Sequence, residues 1–335
     1  MSCLSWYCQG LGSPRSVLFL KGLIRVQNST VVILIETLVH SNKIEELRVK
    51  FGYDCCFFVD CVGKSGGLAV IWEDKDIISI SGYSNNYIDM REIDHMGVTL
   101  TGFYGFPQRS RRRNFWDLLI SLSPIWSGPW VCIRDFNDLL NPDDKLGGGD
   151  HPNYFFQGFH NAADCCNFSD ILLHGYPFTW ERGKGSSHWV QERLDRALAN
   201  LNWLDYFHNC RLSNLSHSVS DHSPMFLYFE FRWFSFKRGR FKFEIAWLIN
   251  NDLKEVVRKY WVSSSGSLLH CLHGCGTYLK DSSKSLHGNY RQLIARKKEQ
   301  LDCIRRMNDA NSGALFASIK NELNSLIAQE EAYWK

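Results

Sequence analysis

Val31–Ile35 reads VVILI, an unbroken apolar run bounded by Thr30 and Glu36. A strand with one wet face alternates apolar and polar residues, so a continuous run predicts a strand covered on both faces. Cys55–Val62 and Leu68–Trp72 have the same character, and the turn Gly63-Lys64-Ser65-Gly66-Gly67 between them predicts a hairpin. Further strands are predicted at Ile77–Tyr83, Tyr87–Ile93, Val98–Tyr104 and Trp130–Ile133, and helices at Ser16–Val26, Asn42–Lys50 and Asn114–Leu122. Many strands with few helices imply two packed sheets with helices outside, an α/β sandwich.

The 335 residues are 44% hydrophobic with 22 Phe, 13 Tyr and 12 Trp, enough to pack a large core. A net charge of +3 does not announce a polyanion partner, so nucleic-acid binding would have to rest on local patches. The N-terminus lacks the basic start and apolar run of a secretory signal, and no apolar stretch approaches the roughly 18 residues of a membrane span. An intracellular chain with no membrane partner is expected. In a reducing compartment its scattered cysteines, among them Cys55, Cys56 and Cys132, are expected to be buried thiols, and the sequon at Asn28 carries no glycan. Composition shifts after Phe231, which predicts a domain over 1–231 and a connector over 232–335. The connector opens with the basic and aromatic Arg232–Phe243, continues through Ser263–Ser267, and ends in amphipathic helices carrying Leu301, Ile304, Ile319 and Leu323. It stops at Trp334-Lys335 without a capping signal, as an interrupted reading frame would.

The chemistry-bearing residues gather at the predicted strand ends. Glu36 ends VVILIE and Tyr104 ends VTLTGFY; Asp135 and Asn137, two apart and so on one face of an extended chain, end WVCIRDFN. Asp195 lies in ERLDR, and Asp221 and His222 in SDHSP, just before the apolar run from Met225. A lone carboxylate at such a position is usually a solvated turn residue; this whole set is not so readily dismissed.

The strings SW-x-C-x-GLG, ET, GGLAV-x-W, GFYG-x-P, DFN, FTW, ERLDRALAN and SDHSP occur in this order. They resemble the endonuclease/exonuclease/phosphatase superfamily, and most closely the apurinic/apyrimidinic-type endonuclease domain of plant LINE (non-LTR) retrotransposons. Phe241-Lys242-Phe243-Glu244 and the terminal Glu330-Glu331-Ala332-Tyr333-Trp334-Lys335 are similar to the connector that precedes a reverse transcriptase, which is absent from this chain. The resemblance implies a four-layer, DNase I-like α/β sandwich followed by a mainly helical connector. It implies a hydrolase that nicks DNA with Mg²⁺, or Mn²⁺ in its place, without an organic cofactor, and by that role a nuclear location. Glu36 and Asp221 would then be metal ligands and Asp135 would orient or deprotonate the attacking water. Asn137 would fix the phosphate and Tyr104 donate towards it or the leaving group, while His222, oriented by Asp195, would contact phosphate oxygens. Arg111 and Arg112, in the run from Arg109 to Arg113, are candidate contacts to the DNA backbone, equally readable as a solvated loop.

Two positions depart from the family pattern. Tyr7 stands where the family has Asn, and Arg134 where it has Gly. The Gly implies close packing or an unusual φ/ψ, neither of which Arg tolerates freely, and a cation there would depress the basicity of Asp135. Two functions therefore stay open: a metal-dependent DNA endonuclease, and a catalytically inactive remnant that at most binds nucleic acid. Other motifs carry less. Gly63-Lys64-Ser65 lacks the first glycine of a phosphate-binding loop, His270, Cys271, His273 and Cys275 lack the paired spacing of a zinc site, and no G-x-S-x-G string occurs.

Overall fold

The computed structural model describes the chain apart from residues 64, 94–96, 107, 124–127, 216–218, 231–252, 264–274, 277, 280–291, 306–311 and 335. The chain divides into two compact units, Met1–Phe231 with Asn308–Gly313, and Arg232–Met307 with Ala314–Lys335.

In chain order, the first unit carries strands β1 (Ser2–Tyr7), β2 (Val31–Ile35), β3 (Cys55–Val62), β4 (Ser65–Trp72), β5 (Ile78–Ser84), β6 (Tyr87–Glu92), β7 (Thr99–Tyr104) and β8 (Trp130–Asp135). The remainder are β9 (Lys145–Leu146), β10 (Phe168–Asp170), β11 (Leu173–His174), β12 (Trp180–Arg182), β13 (Val190–Glu192), β14 (Asp195–Asn200), β15 (Arg211–Asn214) and β16 (Met225–Tyr228). Its helices are α1 (Pro14–Gln27), α2 (Ser41–Phe51), α3 (Arg112–Leu122), α4 (Asn153–Cys165) and α5 (Leu201–Tyr206). A 7-stranded sheet runs β11-β15-β16-β1-β2-β4-β3, a 6-stranded sheet runs β10-β14-β8-β7-β6-β5, and β12-β13-β9 make a 3-stranded ribbon.

One apolar cluster lies between the large sheets: Val31, Ile33, Ile35, Leu68 and Val70 from the first meet Ile88, Met90, Leu100, Val131, Ile133 and Ala197 from the second. The alternate residues of the second sheet, Phe103, Trp130, Cys132 and Leu198, pack instead against Phe115 and Leu119 of α3 and Phe159 and Ala162 of α4. On the outer face of the first sheet, Trp6 meets Phe19 of α1 with ring centroids 5.2 Å apart. The order helices, sheet, sheet, helices is a four-layer α/β sandwich, and it accounts for VVILI: β2 is buried throughout because α1 covers one face and the second sheet the other. Helix α1 starts where Ser13 accepts from the Ser16 N–H with Pro14 following, and ends on Asn28, whose left-handed φ of 49° lets it cap. Every described cysteine is free, and no described helix is long and apolar enough to cross a membrane.

The second unit holds helices at Leu253–Ser263 and Ser312–Trp334 and another over 292–305. Leu301, Ile304, Ile319 and Leu323 form the buried seam between the second and third of these in chain order, 292–305 and Ser312–Trp334. Arg232–Phe243, and His270, Cys271 and His273, lie outside the described residues.

A polar chain crosses the second sheet: Trp130 Nε1 donates to Thr101 Oγ1 at 2.9 Å, and Thr101 donates to Asp89 Oδ1 at 2.6 Å. Burial lifts the Asp89 carboxyl to about 6 against the pull of the Thr101 hydroxyl. The folded chain thus holds this proton to higher pH than the unfolded chain does. The stability it contributes is complete below the unfolded value of about 4 and is lost as pH rises through the folded value near 6. Asp89→Asn is expected to flatten that segment, so that wild type loses about 1–3 kcal/mol relative to the variant between acid and neutral pH. Urea unfolding of both proteins at the two pH values measures this, and parallel curves would contradict it.

Candidate functional site at the strand ends

The strand pairings bring the polar strings to one end of the sandwich. β1 and β2 are parallel, as are β7 and β8; Tyr7, Tyr104 and Asp135 are the carboxyl-terminal residues of their strands and Glu36 directly follows one. β14 is antiparallel to β8 and β16 antiparallel to β1, so the beginnings of those strands reach the same edge. Asp195 is the direct cross-strand partner of Asp135, which places the two side chains on one face of the sheet.

Asp135 is fully buried and clamped by the residue two positions on. The Asn137 backbone N–H donates to Oδ1 at 2.8 Å, and its carboxamide donates to Oδ2 at 2.6 Å and to the Gly105 carbonyl at 3.2 Å. Asn137 achieves this at a φ of 53°, a conformation Asn tolerates better than most side chains. His222 Nδ1 lies 2.9 Å from Asp195 Oδ2 in a buried pair. Burial would lower the His222 pKa, but Asp195, with Asp135 and Asp221, raises it overall. Burial would raise Asp195, but Arg134 and His222 hold it low. Asp135 is lifted to about 7, by burial first and then by Asp195, in spite of His222.

Glu36 stands just beyond β2 at a φ of 53° and is half-buried. Its loop is laid onto β4: Thr37 N–H donates to the Gly67 carbonyl at 3.1 Å and Leu38 N–H to Gly66 at 3.4 Å. The approach requires glycine, because a Cβ on Gly67 would sit 2.4 Å from Thr37 Oγ1 and 3.3 Å from Leu38 N at a φ of +88°. Gly67→Ala is accordingly expected to displace the Glu36 loop and cost about 2 kcal/mol in chemical unfolding. A neutral result would show that this contact does not hold the loop.

Tyr104 donates to Glu36 Oε1 at 3.5 Å. Asp221 is half-buried; Trp180 Nε1 donates to its Oδ2 at 3.0 Å, whereas Oδ1 is buried with no hydrogen-bond partner. Arg112 is buried and donates to the Phe106 carbonyl at 2.6 Å, so it holds the loop after Tyr104 rather than facing solvent. Arg111 lies over the Phe106 ring at 3.8 Å, and Arg109, Arg111 and Arg113 are exposed.

The two departures sit at the centre. The Tyr7 ring stacks on His222 with centroids 4.2 Å apart and meets Tyr104 edge-on at 5.9 Å. Its hydroxyl is within hydrogen-bonding range of Glu36 and Tyr104, and burial, with Asp135, Tyr104 and Glu36, drives its pKa far above the ordinary phenol value. Along β8, Val131 and Ile133 face the other sheet while Trp130 and Cys132 face the helices. Alternation would send residue 134 to the helical face beside its cross-strand partner Arg196. The Arg134 φ of 129° turns it inward instead. There its guanidinium donates to the carbonyls of Ser5 at 3.3 Å and Ser223 at 3.1 Å and lies 3.4 Å from Asp195, with both charges wholly buried. The unusual backbone that a glycine at 134 implies is present, and an arginine occupies it.

Asp135, Asp195 and His222 are the group of potential ligand residues whose ligand atoms lie within 4.8 Å of one another among the described residues. The residue types suit a divalent ion, but both Asp135 oxygens accept from Asn137, Asp195 Oδ2 is paired with His222 Nδ1, and the Arg134 guanidinium lies 3.4 Å from Asp195 Oδ1, which makes no hydrogen bond. Glu36 and Asp221 stand outside that group. As folded, the set does not form an open oxygen cage for a hard ion. The sequence pointed to every strand-end residue named here, but not to the Tyr7–His222 stack or the inward turn of Arg134; for Trp180 the only signal was the string FTW.

No protein-family model matches the sequence, and no curated protein does. Among solved structures, the chain is similar to an AP endonuclease from Archaeoglobus fulgidus at 14% identity and a TM-score of 0.53, covering 69% of this chain and 99% of that one. It is similar to a 3'-5' exonuclease from Neisseria meningitidis at 17% identity and a TM-score of 0.55, covering 69% and 100%. It is also similar to the endonuclease domain of TRAS1, a telomere-specific non-LTR retrotransposon, at 12% identity and a TM-score of 0.51, covering 69% and 99%. The chain has a DNase I-like fold.

Proposed function

We propose that residues 1–231 form a DNA phosphodiesterase domain of the retrotransposon nicking kind, in which Tyr7 and Arg134 hold turnover far below what the rest of the site would support. The observation that carries this reading is the convergence of Asp135–Asn137, Asp195–His222 and Tyr104–Glu36 at one sheet edge. Asp135, poised near neutrality, is suited to take a proton from water at physiological pH. Asn137 holds that carboxylate, and the carboxamide N–H now on the Gly105 carbonyl would turn to a phosphate oxygen. His222, whose hold on its proton Asp195 strengthens, donates to a second oxygen, and Tyr104 covers the leaving side. With Tyr7 and Arg134 exchanged, Glu36 and Asp221 would be the residues to hold Mg²⁺ or Mn²⁺, which would neutralise phosphate charge. Arg109 and Arg111 after Tyr104, and Arg113 in the first turn of α3, are exposed and would meet the DNA backbone. That solved structures of the same fold include nucleases, one of them from a retrotransposon, supports DNA as the polymer, and that origin supports a nuclear location.

Duplex binding tests the DNA assignment separately from cleavage. Wild type is expected to bind a short duplex with affinity that falls steeply with salt. Reversing Arg109, Arg111 and Arg113 to Glu should weaken binding about tenfold or more and reduce the salt slope. Binding indifferent to those changes would remove the proposed interface.

A further inference from the structure

The geometry points to Arg134 as a built-in cation that substitutes for metal charge in the acidic cluster, so that this chain folds with its site closed to divalent ions. The inference rests on the site described above but concerns what fills it, not whether it cuts DNA. Its first support is position: the strand alternation is broken at 134 alone in β8, and the break delivers a guanidinium to the face that Asp135 and Asp195 share. Its second is partial compensation: Arg134 Nη1 reaches across the sandwich to carbonyls of Ser5 on β1 and Ser223 ahead of β16, while Nε lies 3.4 Å from Asp195 Oδ1, both of which lack a hydrogen bond. A wholly buried cation is stable only with such partners, and a wholly buried carboxylate only with such a cation. With the Arg134 guanidinium 3.4 Å from Asp195, the cluster already holds a cation that would repel a dication. On the other side of the site, the hydroxyls of Tyr7 and Tyr104 lie against Glu36.

The test is ion binding, read by thermal melting with and without Mg²⁺ and by titration of Mn²⁺ alone in the full chain. Wild type and Tyr7→Asn, both of which keep Arg134, should melt at the same temperature with or without about 10 mM Mg²⁺ and should bind Mn²⁺ at least about tenfold more weakly than a chain lacking the guanidinium. Arg134→Gly, which also relieves the positive φ, should melt lower than wild type without ion and recover several degrees with it. Arg134→Gln, neutral but able to donate to the Ser5 and Ser223 carbonyls, serves if the glycine variant does not fold. Ion binding by wild type equal to that of either Arg134 variant would overturn the inference, and so would ion binding gained by Tyr7→Asn alone. Neither outcome bears on DNA binding or nicking, which are measured independently.

Discussion

Exchanging Tyr7 for Asn and Arg134 for Gly together is expected to raise the rate of supercoiled-DNA nicking at least about 100-fold over wild type, the size of effect seen when one preorganised electrostatic contact is made or lost in a hydrolytic site. Each exchange removes a distinct obstruction. Tyr7 lays a phenol ring across His222, with centroids 4.2 Å apart, so that a phosphate approaching the imidazole would have to compete with it. Asn is smaller and offers a carboxamide instead. Arg134 holds a full positive charge against Asp195 and lowers the proton affinity of Asp135, opposing its use as a base. Glycine removes that charge and accepts a φ of 129° without strain. Because the two act on different groups, each single variant should recover only part of the rate. The double variant should also be less stable than wild type in the absence of divalent ion, so the rate comparison belongs at a temperature where both are folded.

Arg196→Ala is expected to cost about 3–5 kcal/mol of unfolding free energy, the loss typical of breaking a buried ion pair by removing one partner. The Arg196 side chain is wholly buried behind Asp195. It donates to Asp170 at 2.8 Å, to Asp144 at 2.5 Å and to the Arg193 carbonyl at 3.0 Å, while Arg193 reaches Asp170 at 3.0 Å. Asp144 also accepts from the N–H groups of Leu140 and Asn141 in the segment after Asn137. Removing Arg196 leaves Asp144 short of its closest cation and slackens both the start of β14 and the segment that follows the Asp135–Asn137 clamp. Chemical denaturation reads the stability. A loss under about 1 kcal/mol would mean that the network behaves like exposed ion pairs and does not hold the site.

The contrast between these two cases describes what a sequence reader could see. Unbroken apolar runs such as VVILI become strands covered on both faces because no other structure shields them so fully, and the expected strands and the helices α1, α2 and α3 are present within a few residues. The polar strings at strand ends were legible because a strand end fixes where the next side chains project. Helix α4 was not: NYFFQGFHNAADC has weak helix formers, and the helix is secured by Phe155, Phe159, Ala162 and Ala163 packing inward. Nor was β14 recognised as a strand, since DRALAN is short and its pairing with β8 decides its conformation. The Arg196 network joins residues 26 and 52 positions apart, beyond any local pattern. The family comparison marked residue 134 as unusual, and only the structure located the consequence, a side chain turned from the helical face to the inter-sheet face. Arg112 was grouped with its neighbours as a DNA contact, but an arginine that opens a helix against a buried loop carbonyl reads no differently in sequence from an exposed one.

The most direct test of the central claim is a plasmid-nicking time course in Mg²⁺ with wild type, the Tyr7→Asn/Arg134→Gly variant, and that variant carrying Glu36→Gln. A phosphodiesterase site held back by two residues predicts slow or absent nicking by the first, rapid nicking by the second and its loss in the third. A double variant as silent as wild type, or one that nicks equally well without the Glu36 carboxylate, would contradict it.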